Sequence, residues 1–317
     1  GIGIGCSGFV CGAAFPVRPT VAALSAARVV IAAGGHVTLL TGAVDTGQGS
    51  DLTLAQIAAE ELGVPVEAIT VVAADTELTP IDMGNYSSRT TMMAGNAVKK
   101  AAFAAKGQVL QAAADLLEAK AEDLESREGR VFVRGSQERS VPFIDAVRAA
   151  YRAGQGRPIS GEGAYVPPPG KISPSLSFSV QIAEVEVDRE TGQVQVLTLT
   201  IAHDCGVPIN PLSVEGQLEG SIYMGVGYAL SEELSGALGQ PVQSSFSDYR
   251  LPTVGEMPKV ETVHVEVFDP EGPFGAKEAG EGTVGPTAPA IANAIFDAIG
   301  VRLTEMPLAP EKVLKSL

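Results

Sequence analysis

The chain has 317 residues, 45% of them hydrophobic, and a formal charge of −15 from 37 acidic against 22 basic residues. That length can bury a sizeable core and favours two domains over one. The negative charge would repel a phosphate backbone, and no Lys/Arg cluster interleaved with aromatics offsets it, which excludes nucleic acid as an expected partner. No uninterrupted apolar run reaches the ~18 residues that a membrane span requires, and the glycine-broken opening carries no basic leader. The expectation is a soluble cytoplasmic protein with no membrane partner.

In chain order, Gly3 to Gly8 (GIGCSG) matches the pattern G-x-G-x-x-G. No strand precedes it, and the first acid in the chain is Asp45, so nothing stands about 20 residues on to hold a ribose. A glycine-rich packing segment is the better account. Arg28–Ile31, Gly34-Gly35 and His36–Leu40 predict a hairpin with a Gly-Gly turn. The loop DTGQGSD follows from Asp45, with Ser50 and Asp51 placed to cap a helix striped by Leu54, Ile57, Ala58 and Leu62. A strand is expected from Val71 to Ala74, a polar loop over 75–89 and a long helix from Thr90 to Leu117. YVPPPGKISPS, Tyr165 to Ser175, is stiff and cannot continue a ladder, and therefore separates two domains, 1–165 and 176–317.

Beyond it, Phe178–Val187 alternates apolar and polar residues with a phase slip between Ile182 and Ala183 that predicts a bulge. After the turn DRETG comes a second strand, Gln193–Ile201, then the loop HDCGVPINP and a helix over Gln217–Leu230. Both halves thus repeat hairpin, Gly-rich loop and helix. The last helix, Thr287–Ile299, has Pro289 in its first turn, Gly300 just past its end, and Ile291, Ile295 and Ile299 on one face. Strands and helices without regular βαβ alternation predict an α+β fold.

Cys6, Cys11 and Cys205 match no zinc or iron-sulfur spacing and are expected to be buried, reduced thiols. The chemistry then rests on loops rich in Gly, Ser, Gln and backbone amides, which suit an anionic ligand such as a phosphorylated pterin. Gly47-Gln48-Gly49 lets a ligand approach the backbone ahead of a helix N-terminus that favours a phosphate. Ser87-Ser88-Arg89-Thr90-Thr91 joins hydroxyls to a guanidinium, which could bind phosphate or merely cap a helix.

DTGQG at Asp45, GNYSSRTTMMAGNAV at Gly84, HDCGVPINPLSVEGQLEGSIYMGVGYAL at His203 and GAKEAGEG at Gly275 resemble, in order and approximate spacing, the molybdopterin-binding domains of the molybdenum hydroxylase (xanthine dehydrogenase and aldehyde oxidase) family. The resemblance spans nearly the whole chain and implies a two-lobed cofactor-binding fold. It also implies molybdenum held through the pterin dithiolene, with no protein metal ligand, and a pterin of the cytosine dinucleotide form. By motif, Gly47, Gln48 and Gly49 would contact the cofactor, and Ser87, Ser88, Arg89 and Thr90 would bind its phosphate or nucleotide tail. Gly95 and Asn96, which follow on the helix, would have a supporting role and not contact the cofactor directly, while Asn210 and Gln217 would close over the pterin. Glu281 stands at the family position of the catalytic base, flanked by Gly280 and Gly282, with Glu278 its local competitor.

The implied reaction hydroxylates an aromatic, N-heterocyclic or aldehyde small-molecule substrate with water as oxygen source. The implied partners are a large molybdopterin subunit supplying the rest of the site and subunits carrying [2Fe-2S] clusters and FAD. The split arrangement resembles nicotinate dehydrogenase, and the SSRTTMMAGNAV stretch resembles 4-hydroxybenzoyl-CoA reductase, so reductive dehydroxylation is one alternative. A non-catalytic subunit that kept the fold is another.

Overall fold

The computed structural model describes residues 1–12, 24–168 and 173–317. In chain order the strands and helices are β1 (Ile2–Cys11), β2 (Ser25–Ile31), β3 (Val37–Thr41), α1 (Ser50–Leu62), β4 (Ile69–Ala73), α2 (Gly95–Leu117), β5 (Leu124–Arg127), β6 (Arg130–Val133), β7 (Ser136–Pro142), α3 (Phe143–Ala153) and β8 (Ile159–Tyr165). They continue with β9 (Ser175–Val187), β10 (Val194–Asp204), α4 (Pro211–Leu230), β11 (Gly236–Ala237), β12 (Gln240–Pro241), β13 (Lys259–His264), α5 (Thr287–Ile299) and α6 (Pro310–Ser316). The fold is α+β.

Two compact units result: a first unit of residues 10–175 and 268–278, and a second of 1–9, 176–267 and 279–317. The chain passes between them at Ser175/Leu176, at the end of the Pro-rich segment, of which residues 169–172 lie outside the described residues. Two stretches belong with the other half of the chain, the opening nine residues and 268–278.

In the first unit the sheet order is β8-β2-β3-β4, with β2 antiparallel to both β3 and β8, and β3 parallel to β4. A parallel pair needs a crossover, and α1 supplies it. Val29, Ile31 and Leu39 of the sheet and Leu54, Ile57 and Val98 of the helices are fully buried. Helix α2 lies tight against β8 because Gly161 and Gly163 lack side chains: a Cβ there would stand 2.1 Å from the Ala101 carbonyl oxygen and 2.2 Å from that of Ala97.

The second unit repeats the plan. Its sheet order is β1-β9-β10-β13, with β9 and β10 antiparallel, β10 and β13 parallel, and α4 as the crossover. Leu199, Ile201, Leu218, Ile222, Ile291 and Ile295 form its core. The opening glycines do for α5 what Gly161 and Gly163 do for α2. A Cβ on Gly3 would lie 2.1 Å from Ala294 N, and one on Gly5 2.1 Å from the Pro286 carbonyl oxygen. The G-x-G-x-x-G match is therefore a strand packed against a helix.

Three expectations need correction. β9 carries no phase slip: Ser177, Ser179, Gln181, Ala183 and Val185 are all buried, and Phe178, Val180 and Ile182 face outward. Hydrophobicity fails to track burial there because the buried side is polar at the start of the strand. The ladder irregularity sits instead on β10, between Val196 and Thr198. Cys6 is exposed, although all three cysteines are free as expected. The expected long helix opens as a π-helical turn, Thr90–Ala94, before α2 begins. Among the described residues, no helix is long and apolar enough to cross a membrane.

Candidate functional site

The loop after β3 is folded on its own side chains. Asp45 Oδ1 accepts from the backbone N–H of Gly47 (2.8 Å) and Gly49 (3.3 Å), and Oδ2 accepts from Asp51 N–H (3.3 Å). Gln48 Oε1 accepts from Thr46 N–H (2.6 Å) and the Thr46 hydroxyl (2.9 Å), while its Nε2 donates to the Val44 carbonyl (2.9 Å) and Ser50 Oγ (3.1 Å). Helix α1 is thus capped from Asp45, not by Ser50 or Asp51; its N-cap residue is Gly49, left-handed at φ +77° with no side-chain cap bond. The anion favoured at this helix N-terminus is the chain's own carboxylate, where the sequence led us to expect a phosphate. Burial works to raise the Asp45 pKa, but the amides of Gly47, Asp51, Gly49 and Ser50 hold it below the usual carboxylate range. Asp51 is shifted the other way, by burial and then by the charge of Asp45. Gly47 adopts φ +113°, closed to other residues, and a Cβ there would meet no atom within 4 Å. One side of a stiff loop is therefore backbone facing open space.

The second loop of this unit holds the Ser87–Thr90 cluster. Arg89 is fully buried: Nη1 donates to Asp82 Oδ1 (3.0 Å) and the Gly84 carbonyl (3.1 Å), and Nη2 to the Leu24 carbonyl (3.0 Å). Its charge is spent inside the protein, shaping the loop from behind. Ser87 and Ser88 are consecutive left-handed residues, φ +56° and +44°. Such conformations cost ~1–3 kcal/mol each outside glycine and gather where function holds them. The π-helical turn that follows is a second irregularity of the same kind. Asn85, which the sequence did not single out, joins the two loops: its Nδ2 donates to the Val44 carbonyl (2.7 Å) and its Oδ1 accepts from Thr90 Oγ1 (3.2 Å). Within the motif it looks like one more loop amide; only the fold brings Val44 to it.

Further along α2, Asn96 Nδ2 donates to the Met92 carbonyl (2.7 Å) and to the Glu271 carbonyl (2.8 Å), and Lys99 Nζ stands 4.1 Å from the Phe274 ring centroid. A Cβ on Gly95 would come within 2.9 Å of Pro273. These three positions seat the 268–278 stretch on the helix.

In the second unit, Asn210 caps α4 by accepting from Ser213 N–H (3.2 Å), with Pro211 as the first helical residue. The helix therefore begins six residues before the expected Gln217. Gln217 sits half-buried on its second turn, and its carbonyl accepts from Ser221 Oγ (2.8 Å). Glu281 opens a short 3₁₀ turn, Glu281–Thr283, and is itself exposed while Gly282 and Thr283 are buried. Gly280 precedes it as the turn's N-cap. Three contacts hold this turn by its backbone. Ser7 Oγ donates to the Gly282 carbonyl (2.8 Å), Gln181 Nε2 to the Thr283 carbonyl (2.7 Å), and Thr283 Oγ1 to the Gly280 carbonyl (2.6 Å). Glu278, the competing acid, is only 2% exposed. Chemically the turn offers one accessible carboxylate on a fixed backbone.

Residues 1–258 match the model of the molybdopterin cofactor-binding domain. The chain belongs to this family. The molybdopterin-binding chain is 38% identical over 293 residues to the gamma subunit of the 6-hydroxypseudooxynicotine dehydrogenase complex of Paenarthrobacter nicotinovorans, covering 90% of this chain and 36% of that one. It is 32% identical over 324 residues to a putative xanthine dehydrogenase molybdenum-binding subunit of Escherichia coli K12, covering 99% and 41%. The crystal structure of a Cu,Mo-CO dehydrogenase matches with TM-score 0.90 at 30% identity, over 99% of this chain and 41% of that one. Quinoline 2-oxidoreductase from Pseudomonas putida 86 matches with TM-score 0.89 at 32% identity, over 99% and 42%. The chain thus spans about two fifths of the length of these relatives.

The loops of the molybdopterin-binding chain fit such a ligand. Molybdopterin is flat, hydrogen-bonding and anionic. The open backbone at Gly47 and the strained hydroxyl pair at Ser87-Ser88 are features that a solvated connection would have no reason to keep.

Proposed function

We propose that the chain is a molybdopterin-binding catalytic portion of a multi-subunit molybdenum hydroxylase. Its substrate would be an aromatic, N-heterocyclic or aldehyde compound, hydroxylated with oxygen taken from water. Gly47, Gln48 and Gly49 hold the cofactor, and Ser87, Ser88 and Thr90 hold its phosphate or nucleotide tail. Arg89 serves them from behind through its pair with Asp82. Asn210, Gln217 and Gly280 are the cofactor-contacting residues of the second unit. The cofactor is the cytosine dinucleotide form of molybdopterin, which supplies the two-electron oxidation when bound.

The protein's part in the chemistry falls to Glu281. Its carboxylate takes the proton from the water-derived nucleophile as that oxygen attacks the electron-poor carbon of the substrate, and Gln181 and Thr283 keep its backbone still while it does so. Electrons leave through partner subunits carrying [2Fe-2S] clusters and FAD, and a large molybdopterin subunit supplies the remaining walls of the site. Support comes from relatives named as a complex subunit and a molybdenum-binding subunit, each much longer than this chain.

The observation that carries the reading is one exposed glutamate on a buried, hydrogen-bonded turn, in a chain of a molybdopterin-binding family. Elemental and nucleotide analysis of the purified native complex tests it. Molybdenum equimolar with this chain and release of cytidine monophosphate on acid hydrolysis are expected. A fully active complex without molybdenum would overturn the proposal, and release of a different nucleotide would overturn the cytosine assignment.

A further inference from the structure

The side chain of Thr283 touches two elements at once. Its hydroxyl stands 2.6 Å from the Gly280 carbonyl oxygen and 2.5 Å from the hydroxyl of Ser221 on α4; Ser221 donates its own proton to the Gln217 carbonyl, so the single Thr283 proton is shared between Gly280 and Ser221. Its own carbonyl accepts from Gln181 Nε2 on β9 at 2.7 Å. Thr283, Ser221 and Gln181 are at most 3% exposed, so none of these bonds competes with water. Among the described residues Gln181 Oε1 is buried without a partner, and its amide orientation is fixed by the Thr283 carbonyl, which can only accept. Burying a glutamine with one end unsatisfied in a strand whose next buried positions are Ala183 and Val185 is costly, and packing gives no return for it.

The geometry points to Thr283, Ser221 and Gln181 as positioning residues that lock the turn carrying Glu281 to β9 and α4. The inference rests on the reading of Glu281 as the base. Two residues of the turn are clamped from opposite ends, Gly280 by the Thr283 hydroxyl and Thr283 by Gln181, and Glu281 stands between them. An exposed carboxylate on a loose turn would sample many positions. One whose flanking carbonyls are both held has only its side-chain rotamers left.

Thr283→Val, which keeps the branched shape and removes the hydroxyl, tests this in the assembled complex against Thr283→Ser, which keeps the hydroxyl. A misplacement of about 1 Å can cost ~10²-fold in rate, so turnover per bound molybdenum should fall about 10- to 100-fold in Thr283→Val, chiefly in kcat, and recover to within about threefold in Thr283→Ser. Hydrogen exchange at residues 280–284 should accelerate in Thr283→Val and not in Thr283→Ser, with or without turnover. Ser221→Ala, which removes one arm, is expected to shift both readouts in the same direction by less. Unchanged exchange with unchanged turnover per molybdenum would overturn the inference. So would loss of molybdenum in strict proportion to activity, which a merely structural role predicts. Failure of the base assignment shows separately: Glu281→Gln would then turn over normally while the exchange result for Thr283→Val still stood.

Discussion

Asp45 shows how much of a binding loop can be built from one carboxylate. It gathers the N–H groups of Gly47, Gly49 and Asp51, so its ionised form is part of the loop's shape. Its folded pKa lies below the usual value. The stability it contributes is therefore fully present above the ordinary carboxylate range, near pH ~4, and is lost as pH falls through the folded value. Asp51, whose pKa is raised, has the opposite sign: its ionised form is disfavoured in the folded loop, and that cost is relieved on acidification. Asp45→Asn should lower stability at neutral pH toward the low end of the ~0.5–2 kcal/mol typical of a lost helix cap, because the group is exposed. It should also speed hydrogen exchange over residues 46–52, with wild type and variant converging at acid pH. Equal exchange at pH 7 would show that the carboxylate does not hold the loop. At this scale the sequence was a partial guide. It located Gln48 and Arg89 but not that Gln48 bonds within its own loop and Arg89 is buried, since a motif records which residues are present and not which way a folded loop turns them.

At the scale of elements, the two units share one solution: a hairpin, a glycine-rich loop, a crossover helix and a parallel strand, β3-α1-β4 in one and β10-α4-β13 in the other. The first half of that plan was legible, because hairpin alternation and the glycine loops are local signals. The pairing of β10 with β13 was not, because 54 residues separate Asp204 from Lys259. Nor was the packing role of Gly161 and Gly163, since a strand glycine shows its purpose only beside the helix it admits. Gly161→Ala should destabilise the first unit by about 1–3 kcal/mol or more, since its Cβ would meet α2 backbone at 2.1 Å. Gly107→Ala, on the exposed side of α2 with nothing within 4 Å, should stabilise by about 0.5–1 kcal/mol. Calorimetry decides the pair; shifts of the same sign would mean that close strand-helix packing is not what those glycines provide.

Across the whole molecule, family membership was readable because four separated motifs fall in order, and Glu281 was singled out by its place in the GAKEAGEG motif through that resemblance, since Gly161-Glu162-Gly163 presents the same local setting. What the motifs do not single out is the support: Ser7, Gln181 and Ser221 come from three distant parts of the chain to join Thr283 in fixing one turn. Gln181 had a faint signal in its place on the buried phase of β9, obscured by reading hydrophobicity as burial. The central claim is that the exposed carboxylate of Glu281 works as a general base while those residues hold its backbone. Its most direct test is the rate of reduction of the complex by substrate in Glu281→Gln, with the general effect of neutralising an exposed acid controlled by Glu311→Gln on α6. General-base catalysis contributes ~10²–10⁴-fold, so reduction should slow by at least that range while molybdenum and pterin content and re-oxidation by partners stay near wild type. Near-normal reduction with a full complement of cofactor, or loss of cofactor in step with activity, would contradict the account.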